Sequence, residues 1–339
     1  MTAGYWGSGP PLGAADLFDA AERLGVDQVW TAEAYGSDAW TPLAWWGSRT
    51  SRVRLGTAVS QLSARPPATL AMTAMTMDHL TKGRVLLGIG TSNPQVVEGW
   101  YGQPYPRPLE RTREYVDILR KVIARGEPVR HDGRHYQLPL NGGTGLGKPL
   151  RSILHPYRTE IPVYLAAEGP MNVALAAEIA EGWLPMFFSP TMNDFYATAL
   201  AEGFTRPGAR RSGETFDVVG GPLGIVVDDD LERAADRLRP ALALYIGGMG
   251  ARGLNFHYEV FARMGYEAEA RKIQDAYLAG DKKSAIAAVP TRMVEDVALI
   301  GPWAKIADEL QRWKQTVLTT LLISCDPRQL EKVTELVRQ

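Results

Sequence analysis

The chain has 339 residues, 45% of them apolar and 22% charged, a globular mix that excludes a disordered, collagenous or coiled-coil protein. Lys plus Arg number 37 against 38 Asp plus Glu, so no basic excess is present to hold nucleic acid or an anionic membrane. One cysteine, Cys325, excludes an internal disulfide framework and a cysteine-rich metal centre.

Met1–Pro11 shows no basic region followed by an apolar run, and no stretch approaches the roughly 20 apolar residues of a spanning helix. No signal peptide is expected, and the expectation is a soluble, cytoplasmic protein. Ala3–Trp6 reads as a short first strand ended by Gly7–Pro11. Ala14–Leu24 has helical apolar spacing with Gly25 as its cap. Asp27–Ala32 is a strand, Thr41–Gly47 a short helix with Pro42 near its start, and Val53–Val59 a strand. Pro67–Leu80 is a helix, Arg84–Ile89 a strand, and Leu109–Arg125 a long amphipathic helix. Val129–Leu140 carries the Asp132-Gly133 turn signal of a hairpin and leads into a Gly/Pro-rich loop to Tyr157, so residues 129–157 read as an insertion.

The alternation resumes with strand Ile161–Ala166, helix Met171–Ala180, strand Gly182–Met186, helix Thr191–Gly203, strand Phe216–Val227 and helix Asp230–Tyr245. Residues 247–289 are extra helical sequence, followed by helix Pro302–Gln315, strand Thr319–Ser324 and helix Pro327–Val337. About eight strands, nearly each with its helix, predict an α/β chain folded as one (β/α)8 TIM barrel over residues 1–339. In that fold the chemistry sits on the loops that follow the strands.

Gly142–Lys148 matches GxxxxGK, but Pro149 stands where a Ser or Thr belongs, so it reads as a flexible or lid-like loop. Gly88-Ile89-Gly90 begins a GxGxxG pattern that Asn93 breaks. His79, His131, His135, His155 and His257 show no metal spacing, and no metal is expected. No GxSxG elbow anchors a serine hydrolase. Ala166–Asn172 is more informative. A strand ends, Gly169 follows, and a helix begins at Pro170, the geometry of a phosphate site as well as of an ordinary tight turn. Glu33 directly follows a strand and points to the expected barrel mouth as a candidate acid/base, with Tyr35 and Asp38 just beyond it.

Gly4–Gly7, Thr31–Asp38, Leu55–Val59, Leu87–Ser92, Val97–Gly102 and Ala166–Pro170, taken in that order, resemble the luciferase-like monooxygenase superfamily. Within it they look like the coenzyme F420-dependent branch related to methylenetetrahydromethanopterin reductase. The resemblance implies a bacterial luciferase-like barrel, usually dimeric, that carries a deazaflavin across its mouth. It implies a bulge at Ala58–Val59, often with a non-prolyl cis peptide, behind the ring. It puts Thr91 and Ser92 at the ribityl side or ring edge, and the phosphate on Ala167, Glu168 and Gly169. Glu33 stands near the ring edge, and Tyr5, Trp6, Tyr35 and Trp40 wall a dry pocket.

The implied activity is hydride transfer between coenzyme F420 and a small electron-poor C=C, C=N or C=O substrate, with Glu33 or water supplying the proton. Glu33, Tyr35 and Asp38 are the catalytic candidates, and a homodimer is expected. The alternatives are an FMN-dependent two-component monooxygenase, for which His257 is the available histidine, and a non-catalytic cofactor carrier. Ala34 after Glu33, and Asn93 in the strand-four loop, depart from the pattern of the family's sugar-phosphate dehydrogenase.

Overall fold

Short aliphatic runs bounded by Gly or Pro become parallel strands buried on both faces, which is where such runs are stable. The computed structural model describes residues 1–4 and 6–338. The chain divides into two compact units. One comprises Ala3–Ala166 with Ile179–Glu181; the other comprises Met1–Thr2, Ala167–Glu178 and Gly182–Gln339. No helix among the described residues is long and apolar enough to cross a membrane.

In the first unit the strands are β1 (Gln28–Thr31), β2 (Arg54–Thr57), β3 (Ser60–Gln61), β4 (Val85–Gly90), β5 (His131–Asp132), β6 (Gln137–Leu138) and β7 (Val163–Ala166). β1, β2, β4 and β7 pair in that order, all parallel, and β3 pairs with the far end of β4. The register sets Thr31 beside Thr57, Gln61 beside Gly90 and Ile89 beside Leu165, so the carboxyl ends of these strands share one edge. Gly56 is required by its neighbour: a Cβ there would lie 2.2 Å from the buried indole of Trp30. The helices of this unit are α1 (Ala14–Leu24), α2 (Trp40–Gly47), α3 (Pro67–Thr81), α4 (Pro94–Gly99) and α5 (Pro108–Ala124). α3 and α5 bury Leu70, Met75, Tyr115 and Leu119. β5 and β6 form the antiparallel hairpin read from Asp132-Gly133.

The second unit holds β8 (Gly182–Leu184), β9 (Asp217–Gly220), β10 (Ile225–Val227), β11 (Leu299–Gly301) and β12 (Thr320–Leu321). β9 pairs in parallel with β8 and with β12, and β10 pairs in parallel with β11. Helix α6 (Pro170–Ile179) opens this part of the chain. Phe187, Leu242, Ile246, Phe261, Ile273, Val294 and Ile300 lie in its core.

The parallel α/β architecture agrees with the sequence reading, but the strand pairing of the described residues does not show a ring of eight strands closed on itself. Ala3–Trp6 is not a strand in its described residues: Gly4 takes a φ of +73°, which breaks an extended run. The strand expected over Phe216–Val227 divides at Gly221-Pro222 into β9 and β10. The helix expected over Asp230–Tyr245 divides into Leu231–Asp236 and Arg239–Ala243, with Pro240 beginning the second piece. β11 was not anticipated, because a strand of 3 residues ending at Gly301 leaves no periodic pattern.

One carboxylate pins α1 to the turn before β2. Glu22 accepts the N–H groups of Ser51 (3.2 Å), Arg52 (3.0 Å) and Val53 (3.0 Å), and the Ser51 hydroxyl (2.7 Å). Burial pushes the Glu22 carboxyl up, but the Ser51 hydroxyl and these three amides outweigh it and hold the pKa at about 2, below the ordinary 4.5. A depressed carboxyl contributes stability above its unfolded pKa and loses it as pH falls through the folded one. Glu22→Gln should therefore lower stability at neutral pH. It should also flatten the decline of urea-unfolding free energy between pH 4.5 and about 2. Parallel stability curves for the two proteins would exclude this role.

Candidate active site

The loop between β1 and α2 carries the first cluster. Glu33 is 5% exposed, and both of its carboxylate oxygens are occupied. Oε2 accepts the Ala39 N–H at 3.0 Å, and Oε1 accepts the Gln61 N–H at 2.7 Å and the Ser60 hydroxyl at 3.4 Å. Arg65 Nη1 reaches both oxygens, at 2.7 and 3.0 Å, with its side chain 19% exposed. Glu33 is thus a buried anion held by a cation and two backbone amides, which is how such a charge is tolerated.

Asp38 serves the same loop differently. Its Oδ1 accepts the N–H groups of Trp40 and Thr41, both at 2.8 Å, and so caps the start of α2. Tyr35 is 53% exposed on this loop. Trp6 stacks on Trp46 with ring centroids 5.8 Å apart. Trp40 is buried and donates its indole N–H to Ser60 at 3.1 Å. Tyr5 lies outside the described residues. Tyr101 donates its hydroxyl to the Ala34 carbonyl at 3.1 Å; burial and then the Glu33 charge push its phenol up.

The peptide bond between Ala58 and Val59, after β2, is cis. Gly90 at the end of β4 makes room for Val59, whose Cγ2 lies 2.8 Å from where a Gly90 Cβ would stand. Thr91 and Ser92 follow, Ser92 in a left-handed conformation at φ +58°, with its carbonyl accepting the Tyr105 hydroxyl at 2.9 Å. Gln61 donates its side-chain amide to the carbonyls of Glu33 (3.2 Å) and Ala34 (3.1 Å), which fixes the amide's orientation. Its Oε1 is then left buried with no hydrogen-bond partner.

In the other unit, Ala167, Glu168 and Gly169 form the turn into α6. Ala167 accepts the Trp183 indole N–H at 2.9 Å. Glu168 Oε1 lies 2.8 Å from His257 Nδ1, and its carbonyl accepts from Arg263 at 3.1 Å. Glu168 Oε2 and Arg263 Nε are buried without partners. A Cβ on Gly169 would meet nothing within 4 Å, so this turn is open. The N–H groups of Asn172 and Val173 both donate to the Gly169 carbonyl at 3.0 Å, which leaves fewer first-turn amides uncovered than the sequence alone suggests.

A family model for luciferase-like monooxygenases matches residues 4–320. The chain belongs to the luciferase-like monooxygenase family. This family member is 52% identical over 326 residues to a Mycobacterium tuberculosis protein named as a candidate coenzyme F420-dependent oxidoreductase, covering 96% of this chain and 94% of the relative. It is 31% identical over 254 residues to an F420-dependent glucose-6-phosphate dehydrogenase of Kribbella flavida, covering 70% and 72% of the two chains. Among solved structures it is similar to the coenzyme F420-dependent tetrahydromethanopterin reductase of Methanopyrus kandleri. That match has a TM-score of 0.75 and 25% identity, over 96% of this chain and 93% of that one. The names of all three share one cofactor.

Sequence reasoning places the loop Ser60–Arg65 among the candidate site segments but gives no role to Gln61 or Arg65 within it, and it does not single out Arg263. Arg65 was legible in principle: a carboxylate expected to be partly buried needs a countercharge, and Arg65 closes a neighbouring loop. Removing that countercharge leaves a buried, unpaired anion. Arg65→Met should lower the unfolding free energy by about 3–5 kcal/mol, and adding Glu33→Gln should recover part of the loss. Urea unfolding of both proteins checks this, and a near-neutral Arg65→Met would sink it.

Proposed function

We propose that the chain is an oxidoreductase that transfers hydride between coenzyme F420 and a small organic substrate, at an electron-poor C=C, C=N or C=O bond. The observation that carries this reading is the 52% identity over 96% of the chain to a relative named for that cofactor. The eight-stranded barrel closure expected from sequence belongs to the same proposal, supported by the parallel pairing within each unit.

The residues present fit a deazaflavin. When bound, the cofactor supplies a carbon centre that passes hydride where a flavin has nitrogen, and that reacts poorly with oxygen. Gln61 Oε1, buried and unpartnered, suits a ring N–H donor. Ala58 and Val59, at the cis peptide beside Gly90, would hold the ring together with Trp6, Thr91 and Ser92. Taken within its own unit, the turn Ala167–Gly169 would suit a phosphate, because a Cβ on Gly169 would meet nothing within 4 Å and the start of α6 favours an anion.

With both oxygens engaged by Arg65, Ala39, Gln61 and Ser60, Glu33 acts by positioning the loop, and water is left as the proton source. Asp38 holds the start of α2, and Tyr35 walls the substrate side. The chain's task is to hold donor and acceptor carbons roughly 3–3.5 Å apart and to exclude water.

The test is a titration of the purified chain with coenzyme F420 and with FMN, followed by an acceptor screen with the reduced deazaflavin. Tight binding of coenzyme F420 and turnover of at least one acceptor are expected. Tight FMN binding with no response to coenzyme F420 would overturn the proposal. Gly90→Ala crowds Val59, a side chain stiff at χ1, and should raise the Kd for coenzyme F420 about tenfold. An unchanged Kd would remove Val59 from the ring site.

A further inference from the structure

We propose that Glu110, Glu114 and His135 form a divalent-metal site, of the class that takes Zn2+, which clamps the β5–β6 hairpin onto α5. Glu110 and Glu114 are one helical turn apart, so both carboxylates project from the same face of α5. The hairpin brings His135 onto that face, and one ligand atom from each of the three residues lies within 4.8 Å of the other two. His135 Nε2 stands 3.4 Å from Glu110 Oε2. Two ligands about 2.0–2.1 Å from one tetrahedral ion are separated by about 3.3–3.4 Å.

The imidazole itself points to a missing ligand. The His135 side chain is 8% exposed, and its Nε2 is buried with no hydrogen-bond partner. A buried ring nitrogen without a partner is costly, and a metal ion satisfies it. Glu114 is already fixed for the task. Its Oε1 accepts the Arg134 N–H at 2.9 Å, and its Oε2 accepts those of His135 and Tyr136, both at 3.0 Å. Each carboxylate oxygen has two lone pairs, so Oε1 retains acceptor capacity.

His131 stands behind the site, its Nδ1 3.0 Å from Asp117 and its Nε2 3.4 Å from Glu114. Arg107 lies 3.6 Å from Glu110, but that pair is exposed and weak enough for a cation to displace. One imidazole with two carboxylates and no thiolate suits Zn2+ or Co2+ rather than Ca2+, which wants more oxygen ligands. No short motif announces the site, because the glutamates belong to α5 and the histidine to the hairpin.

The experiment uses the full chain, tag-free and stripped with a chelator, titrated with ZnCl2 by calorimetry and with CoCl2 by visible absorption. One ion per chain is expected, with the d–d bands of a nitrogen- and oxygen-ligated Co2+. His135→Ala and Glu110→Gln should each weaken Zn2+ binding at least about tenfold. Glu110 is half-exposed on the helix, so Glu110→Gln keeps the test valid if His135→Ala fails to fold. No stoichiometric binding by the native chain, or undiminished binding by Glu110→Gln, overturns the proposal. So does loss of binding in His131→Ala while His135→Ala retains it.

Discussion

An anion that is almost wholly buried sets the terms for the loop edge of the first unit. Glu33 cannot stay charged among apolar neighbours unless donors replace the water it has lost. Arg65, the amides of Ala39 and Gln61, and the Ser60 hydroxyl do so. These donors come from three different segments: the start of α2, the strand β3, and the turn between β3 and α3 that carries Arg65. One side chain therefore fixes the relative position of three loops, and each loop gains order only if the others are in place. Gln61 follows from the same constraint, because its backbone N–H is spent on Glu33 and its side-chain amide on the Glu33 and Ala34 carbonyls.

Missing side chains do complementary work. Trp30 fills the space that a Cβ on Gly56 would need, and Val59 fills the space beside Gly90. Both glycines sit on strands whose partners are fixed by register, Gly56 beside Trp30 and Gly90 beside Gln61. In the first pair the bulky residue on one strand dictates the small residue on the next, and in the second Val59, just before β3, does the same for Gly90. A polar ring of donors at Glu33 and an apolar fit at Val59 meet along the same strand ends.

The helices and the longer strands were legible because they are local facts. α3, α5 and β4 are encoded over 6 to 17 consecutive residues, α3 by an Ala- and Met-rich run, α5 by amphipathic spacing and β4 by a continuous apolar run, and the structure returns them nearly unshifted. The misses have the opposite character. β11 is too short to carry a period, and the break between β9 and β10 depends on Gly221-Pro222 outweighing an otherwise continuous apolar run. At the site, Glu33 could be placed from its position after a strand, whereas its countercharge lies 32 residues away in sequence. His257 lies 89 residues from Glu168, inside a stretch read only as extra helix. Pairings over such separations are set by the fold, and a single sequence holds no local trace of them.

Two positions depart from the sugar-phosphate dehydrogenase pattern, Ala34 and Asn93. Where that pattern leads to expect a histidine after the acid, Ala34 offers only a backbone, and its carbonyl is taken by Tyr101 and Gln61. Where a glutamate is expected, Asn93 is buried and accepts the Val96 N–H at 3.0 Å, capping α4. Both positions are spent on holding loops in place. A glutamate at 93 would bring a second carboxylate into a buried cap beside a site that already stabilises one anion through Arg65, and that cation is committed to Glu33. The same charge economy that makes Glu33 a holder of loops therefore leaves neither Ala34 nor Asn93 to add an acid or a base to this edge.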